Sequence, residues 1–172
     1  MPLLDKLRFH PMLSPYVMET CNDEGLCVTL DSGINPEDYV IIKVDGFYNG
    51  LNLGNTPPSP DCLIVLRCQS GGYSLHIVEF KDIQIAQRIK NKIENIEEKF
   101  NTCFNDFIKN RFKDFLYIEF KDIKLYFVSK VSVHKRDISL TMEVLMGLRI
   151  KYDSKSLMIR PSLPTPAIKK CY

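Results

Sequence analysis

Residues 61–82 read DCLIVLRCQSGGYSLHIVEFKD, and this stretch constrains the fold more than any other. Cys62–Cys68 is apolar on both faces, Ser70-Gly71-Gly72 is a turn, and Tyr73–Lys81 is a second apolar run. Two such runs joined by a short Gly-Gly turn predict a β-hairpin. Their continuous apolar character predicts central strands, covered on both sides. A chain of 172 residues, 45% hydrophobic, can supply that cover from one domain.

The cover is written downstream. Ile85, Ile89, Ile93, Ile96, Phe100, Cys103, Phe104 and Phe107 recur at spacings of three and four, with charged and amide residues between them. This predicts an amphipathic helix over residues 83–112. Upstream, Leu26–Leu30 and Tyr39–Val44 read as strands, and Pro36-Glu37-Asp38 as a helix start or tight turn. Residues 46–60, GFYNGLNLGNTPPSP, read as a loop with a small hairpin at Asn49-Gly50. The first 20 residues are interrupted by Pro2, Pro11 and Pro15, leaving room for a short helix around Tyr16–Cys21. Later, Leu116–Phe120 and Lys124–Val133 read as strands, Ser139–Gly147 as a short helix, and Leu148–Tyr152 and Leu157–Ile159 as weak strands. The order predicts one α/β (α+β) domain over residues 1–172, with 161–172 an extended or disordered tail.

No apolar run is long enough to span a bilayer, and the N-terminus lacks the pattern of a signal peptide. Both point to a soluble, cytoplasmic protein with no membrane partner. The six cysteines include no CxxC pair, and most lie in apolar runs, so they are expected to be reduced, buried thiols. Charge is uneven. Residues 1–60 carry 3 basic and 8 acidic side chains, whereas residues 130–172 carry 9 and 3. A basic C-terminal third can serve as the electrostatic footprint of a polyanion, or simply as a solvated surface.

Chemistry concentrates at one end of the hairpin. Side chains at i and i+2 of a strand share a face, so Glu79 and Lys81 project together. With the turn centred near Gly71, Asp61 falls opposite them. Two carboxylates and a lysine suit a hard divalent cation such as Mg²⁺, and the lysine can orient or activate water or offset charge on a phosphate. The competing reading is a strand-end salt bridge of Glu79 with Lys81 or Asp61.

Ser59-Pro60-Asp61, then Glu79-Phe80-Lys81 at the end of the next strand, then a long helix, resembles the PD-(D/E)xK nuclease superfamily over about residues 39–130. The resemblance implies a restriction-endonuclease-like core, with a central mixed β-sheet flanked by helices. It implies that Asp61, Glu79 and the Phe80 backbone carbonyl hold Mg²⁺, with Mn²⁺ able to substitute, and that Lys81 stands beside the attacking water. Such proteins often add an upstream acidic residue. The candidates are Glu37, Asp45, Glu19 and Glu24, and Glu37 is favoured because it precedes the first good strand.

The implied function is a Mg²⁺-dependent endonuclease acting on DNA, such as a type II restriction enzyme or a repair or junction nuclease, acting as a homodimer. The alternatives are an RNA endonuclease with the same core, or an inactive nucleic-acid-binding module. Arg88, Lys92 and Lys99 on the helix, and Lys135, Arg136, Arg149 and Lys151 in the basic C-terminal part, are candidate phosphate contacts. Gln84 and Gln87 follow the lysine as candidate supports of the site. His76 alternates away from Glu79 and reads as structural, and His10 and His134 lack identifiable partners. The word EFKDI occurs twice, at 79–83 and 119–123. Only the first copy has an aspartate at hairpin distance, so Glu119 and Lys121 read as a lookalike.

Overall fold

The structure, a computed structural model, describes residues 1–23, 25–81, 93–130, 143–162 and 165–172. Its keel is the expected hairpin of β5 (Cys62–Arg67) and β6 (Tyr73–Lys81). The pair is antiparallel and in register from Cys62↔Val78 to Arg67↔Tyr73. Gly71 and Gly72 both have positive φ, 85° and 75°, a region open to glycine at little cost. Their turn is closed by Cys68 N–H donating to Gly72 O and Gly71 N–H donating to Cys68 O, each 3.0 Å.

Strands add on both sides of this keel. β4 (Tyr39–Lys43) pairs antiparallel with β5, and β1 (Val17–Met18) with β4. On the other side β7 (Asp122–Ser129) runs parallel to β6, and β9 (Lys155–Ser162) parallel to β7. β8 (Arg149–Tyr152) closes that edge antiparallel to β9. The result is a mixed seven-stranded sheet of order β1-β4-β5-β6-β7-β9-β8.

The continuous apolar runs are explained by layers on both faces. Leu63, Val65, Leu75, Ile77, Leu125 and Phe127 pack with the helices. These are α1 (Leu3–Phe9), α2 (Val44–Gly50), α3 (Ile93–Thr102), a π-helical run Cys103–Arg111 and the short α4 (Lys113–Leu116). Ile64, Leu66, Val78, Phe80 and Val128 face the other way, toward a small sheet of β2 (Cys21–Asp23), β3 (Leu26–Leu30) and β10 (Ala167–Ile168). The expected helical stripe is buried at Ile96, Phe100, Cys103, Phe104 and Phe107. Beyond Thr102 the helix widens, and Phe112 N–H donates to Phe107 O, five residues back, at 3.1 Å. The 82–92 half of the predicted helix lies outside the described residues.

Several expectations need correction. Residues 44–50 are helical rather than loop and hairpin, because Phe47 and Tyr48 bury against the core. Phe47 meets Phe107 and Phe112 edge-on at 5.3 and 5.4 Å. Residues 116–120 are not a strand; Leu116 ends α4, and Phe120 reaches the core from an irregular connection. A helix at Leu3–Phe9 replaces the one expected near Tyr16. The C-terminal tail is extended but docked: β10 pairs parallel with β3, and Ile168 is buried. Residues 143–147 are helical as expected, and the earlier part of that predicted segment is outside the described residues.

The cysteines also differ from expectation. Cys21 is bonded to Cys62 and Cys68 to Cys171, while Cys27 and Cys103 are free thiols. The partners are 41 and 103 residues apart in sequence and meet only across the layers. Constraining loops of that length contributes about 3–5 kcal/mol each in chain-entropy terms. Disulfides persist in oxidising compartments, so the cysteines no longer argue for a reducing one. Among the described residues no helix is long and apolar enough to cross a membrane.

His76 behaves as structural. It is 2% exposed on the small-sheet face, hydrogen-bonded to Ser74 Oγ at 3.1 Å and stacked on Tyr126. Burial, reinforced by Lys124, lowers its pKa to about 4. The unfolded chain therefore binds the extra proton first, so His76 costs stability as pH falls from about 6.5 toward 4. Denaturant melts of the wild type and His76→Gln at pH 7.5 and pH 4.5 will show a smaller acid loss in the variant. An equal loss in both would exclude this role.

Candidate functional site

The register that pairs Cys62 with Val78 places Asp61 opposite Glu79 one step further on. Alternation then sends Asp61, Glu79 and Lys81 to the helix-bearing face, in line with Leu63, Ile77 and Leu75. Asp61 Oδ2 accepts a hydrogen bond from Phe80 N–H at 2.7 Å, locking the two strand ends together. The Pro60-Asp61 link is held from the other side as well. Val44 N–H donates to Asp61 O at 3.0 Å, and Asp45 N–H to Pro60 O at 3.1 Å. The start of α2 is thereby fixed beside the start of β5.

Glu79 is 0% exposed. Its Oε1 accepts from Lys99 Nζ at 2.7 Å and forms an ion pair with Lys81 Nζ at 3.2 Å. Among the described residues no group donates to its buried Oε2, and the Glu79 and Asp61 carboxyls lie close enough to share a proton. The salt bridge of the competing reading is therefore present, but it occupies one oxygen of the two.

Lys99 was expected on a solvent-facing, phosphate-binding surface; instead it turns inward from α3 to the site. A charged residue at a helical spacing otherwise read as polar carries no local sign that it will face a buried carboxylate 20 residues away. A count of charges would have asked what neutralises a buried Glu79, and only that question points to it.

The charges strain against one another. Burial, then the neighbouring Glu79 carboxylate, raises the Asp61 pKa to about 7, although Phe80 N–H and Lys99 pull it down. Asp45 is raised by burial and by the negative charge of Asp61. Burial alone would lower the pKa of Lys81, but Glu79 outweighs it and the net shift is upward. Lys81 is therefore an ammonium at neutral pH.

Among the described residues no group of three His, Cys, Asp or Glu side chains is gathered tightly enough to form a ready metal cluster. The convergent donors are Asp61 and Glu79. A buried carboxylate oxygen that the lysines leave free, beside a second carboxylate that resists ionisation, is an oxygen donor set of the kind a hard cation takes.

The favoured upstream acid, Glu37, is not brought to the site. It sits in the turn Pro36–Asp38 before β4, whose first residue Tyr39 pairs with Leu66. The site lies at the other end, where Lys43 pairs with Cys62. Four strand steps of ~3.3 Å separate those ends by roughly 13 Å. The acid that arrives is Asp45, just after β4 rather than before it. Glu19 follows β1 and is exposed, and Glu24 is outside the described residues.

Arg149 and Lys151 are exposed on the edge strand β8, and Arg149 donates to the Met146 and Leu148 carbonyls. Three strand spacings of ~4.8 Å put β8 about 14 Å from β6 across the sheet. Arg88, Lys92, Lys135, Arg136, Gln84, Gln87 and His134 lie outside the described residues. His10 packs on Phe112 and Phe115, away from the site.

The second EFKDI copy opens β7, where Asp122 pairs with Ser74 near the Gly-Gly turn. Glu119 is exposed, and Lys121 donates to Ser70 O at 3.3 Å. Because β6 and β7 are parallel, Glu79 is level with Phe127, five residues from that end.

Because Asp61 holds its proton to about pH 7 in the fold but only to about 3.8 unfolded, folding binds a proton in that window. Its contribution to stability therefore falls as pH rises from 4 to 7. In EDTA, Asp61→Asn will be more stable than wild type at pH 8 and nearly equal to it at pH 4, measured by urea denaturation. A stability difference independent of pH would contradict the burial and repulsion assigned to Asp61.

No protein-family model, curated protein or solved structure matches the chain.

Proposed function

We propose that the chain is a Mg²⁺-dependent endonuclease with a restriction-endonuclease-like core, hydrolysing phosphodiester bonds in DNA. The observation that carries this reading is the buried Glu79. One of its oxygens is held by lysines and the other is left by them beside Asp61, at the shared end of two paired strands in the order Pro-Asp…Glu-x-Lys. Asp61, Glu79 Oε2 and the Phe80 carbonyl would hold the ion. The ion, when bound, would make a water nucleophilic at neutral pH and neutralise charge on the phosphate.

The remaining work falls to the protein. Phe80 N–H fixes the rotamer of Asp61, and α2 fixes its backbone. Lys81, held as an ammonium, offsets negative charge gathering on the phosphate oxygens rather than removing a proton. In the overall reaction water adds to phosphorus, the bond to the 3′ oxygen breaks, and the proton ends on that oxygen. The products are a 5′-phosphate and a 3′-hydroxyl. A chain with one such site would cut both strands as a homodimer.

Plasmid nicking in Mg²⁺ provides the test, with RNA of matched length as the second substrate. Cleavage will require the ion and stop in EDTA. Lys81→Ala will slow it by about 10²-fold or more, while Lys121→Ala leaves it unchanged. Cleavage of RNA alone would move the reading to the RNA enzyme. Equal traces for wild type and Lys81→Ala on both substrates would leave a binding module and end the nuclease reading.

A further inference from the structure

Glu79 has two carboxylate oxygens, and among the described residues the lysines engage only one. Lys99 Nζ at 2.7 Å and Lys81 Nζ at 3.2 Å both stand against Oε1, and among the described residues no cationic or amide donor reaches the buried Oε2, with the Asp61 carboxyl beside Glu79. Any cation sharing Oε1 would meet two ammonium groups at close range, where like charges repel strongly outside bulk water. We infer that the site is built for a single divalent cation per chain, bound between Glu79 Oε2 and Asp61, and that Lys99 is the fixed charge standing where a second ion would otherwise bind. The inference rests on the metal-dependent reading above and sets its stoichiometry.

The two lysines are not equivalent. The Lys99 side chain is 15% exposed and that of Lys81 26%. Lys99 rides on α3, whose neighbouring positions Ile96 and Phe100 are buried in the helix-face core, as is Cys103 at the start of the π-helical run that follows. Its ammonium is therefore positioned by packing of the helix against the sheet. Lys81 is the last residue of β6 and the more exposed of the two, so it can turn toward a substrate while Lys99 keeps Glu79 neutralised. Lys99 is thus a positioning residue, which holds a carboxylate rather than the reacting atoms.

Mn²⁺ binding to the full chain, followed by calorimetry and electron paramagnetic resonance, tests this without reference to activity. Wild type will take one Mn²⁺ per chain and show no exchange-coupled pair. Lys99→Met, which removes the charge, will bind Mn²⁺ about tenfold more tightly or admit a second ion. Lys99→Gln keeps an N–H donor and serves where the methionine variant does not fold, and the wild-type stoichiometry depends on neither. Two ions in wild type would overturn the single-ion assignment, and unchanged or weaker binding in both variants would overturn the role given to Lys99, each leaving a metal site in place. No Mn²⁺ bound by wild type would remove the metal reading and this inference together.

Discussion

A carboxylate with no exposed surface must be held by opposite charge, and Glu79 is held by two ammonium groups. Taking an ion out of water costs several kcal/mol, recovered only where the partner geometry is good. One partner, Lys81, comes from the same strand, so its position follows from alternation. The other, Lys99, requires α3 to lie over the end of β6 at a fixed depth. The ion pair therefore ties sheet to helix. A slip of one residue in the hairpin would turn Glu79 onto the opposite face, among Val78 and Phe80, and away from Lys99 on the helix side. The Gly71-Gly72 turn is what forbids that slip.

β5 carries the other half of the arrangement, and it is fastened at both ends. At the site end, amides of α2 bind the carbonyls of Pro60 and Asp61, and Cys62 is bonded to Cys21 of the small sheet. At the turn end, Cys68 is bonded to Cys171, and Gln69 N–H donates to Cys171 O at 2.9 Å. The C-terminal tail thus closes back onto the hairpin and brings Ile168 into the cluster that contains Phe80. Phe80 is the residue whose amide positions Asp61. The tail shapes the site through one layer of packing, without approaching it.

What could be read in advance was whatever depends on local period. The hairpin, its turn and the shared face of Asp61, Glu79 and Lys81 follow from two-residue alternation across a counted turn, and the helical stripe from Ile96 to Phe107 follows from spacing. What escaped depends on layers that only the fold assembles. Gly46 and Asn49-Gly50 look like turn residues, but Phe47 and Tyr48 between them gain a core by forming a helix. Of the acidic candidates Asp45 rather than the favoured Glu37 reaches the site, because β4 runs antiparallel to β5 and ends where β5 begins, and strand direction is not written in composition. Cys68 finds Cys171 across 103 residues.

The two copies of EFKDI show how little of a site resides in its word. Both stand at an end of neighbouring parallel strands, one closing β6 and the other opening β7, so parallel pairing alone sets them at opposite ends of the sheet. At the end that holds Glu79, the strand partner supplies Asp61, the helix supplies Lys99, and burial makes each charge matter to the next. At the other end Glu119 is exposed and Lys121 reaches across to the Ser70 backbone at the hairpin turn. Water there screens the carboxylate and demands nothing of its neighbours. The chemical potential of the motif therefore comes from desolvation: the same residues become a charge network only where two layers close over them.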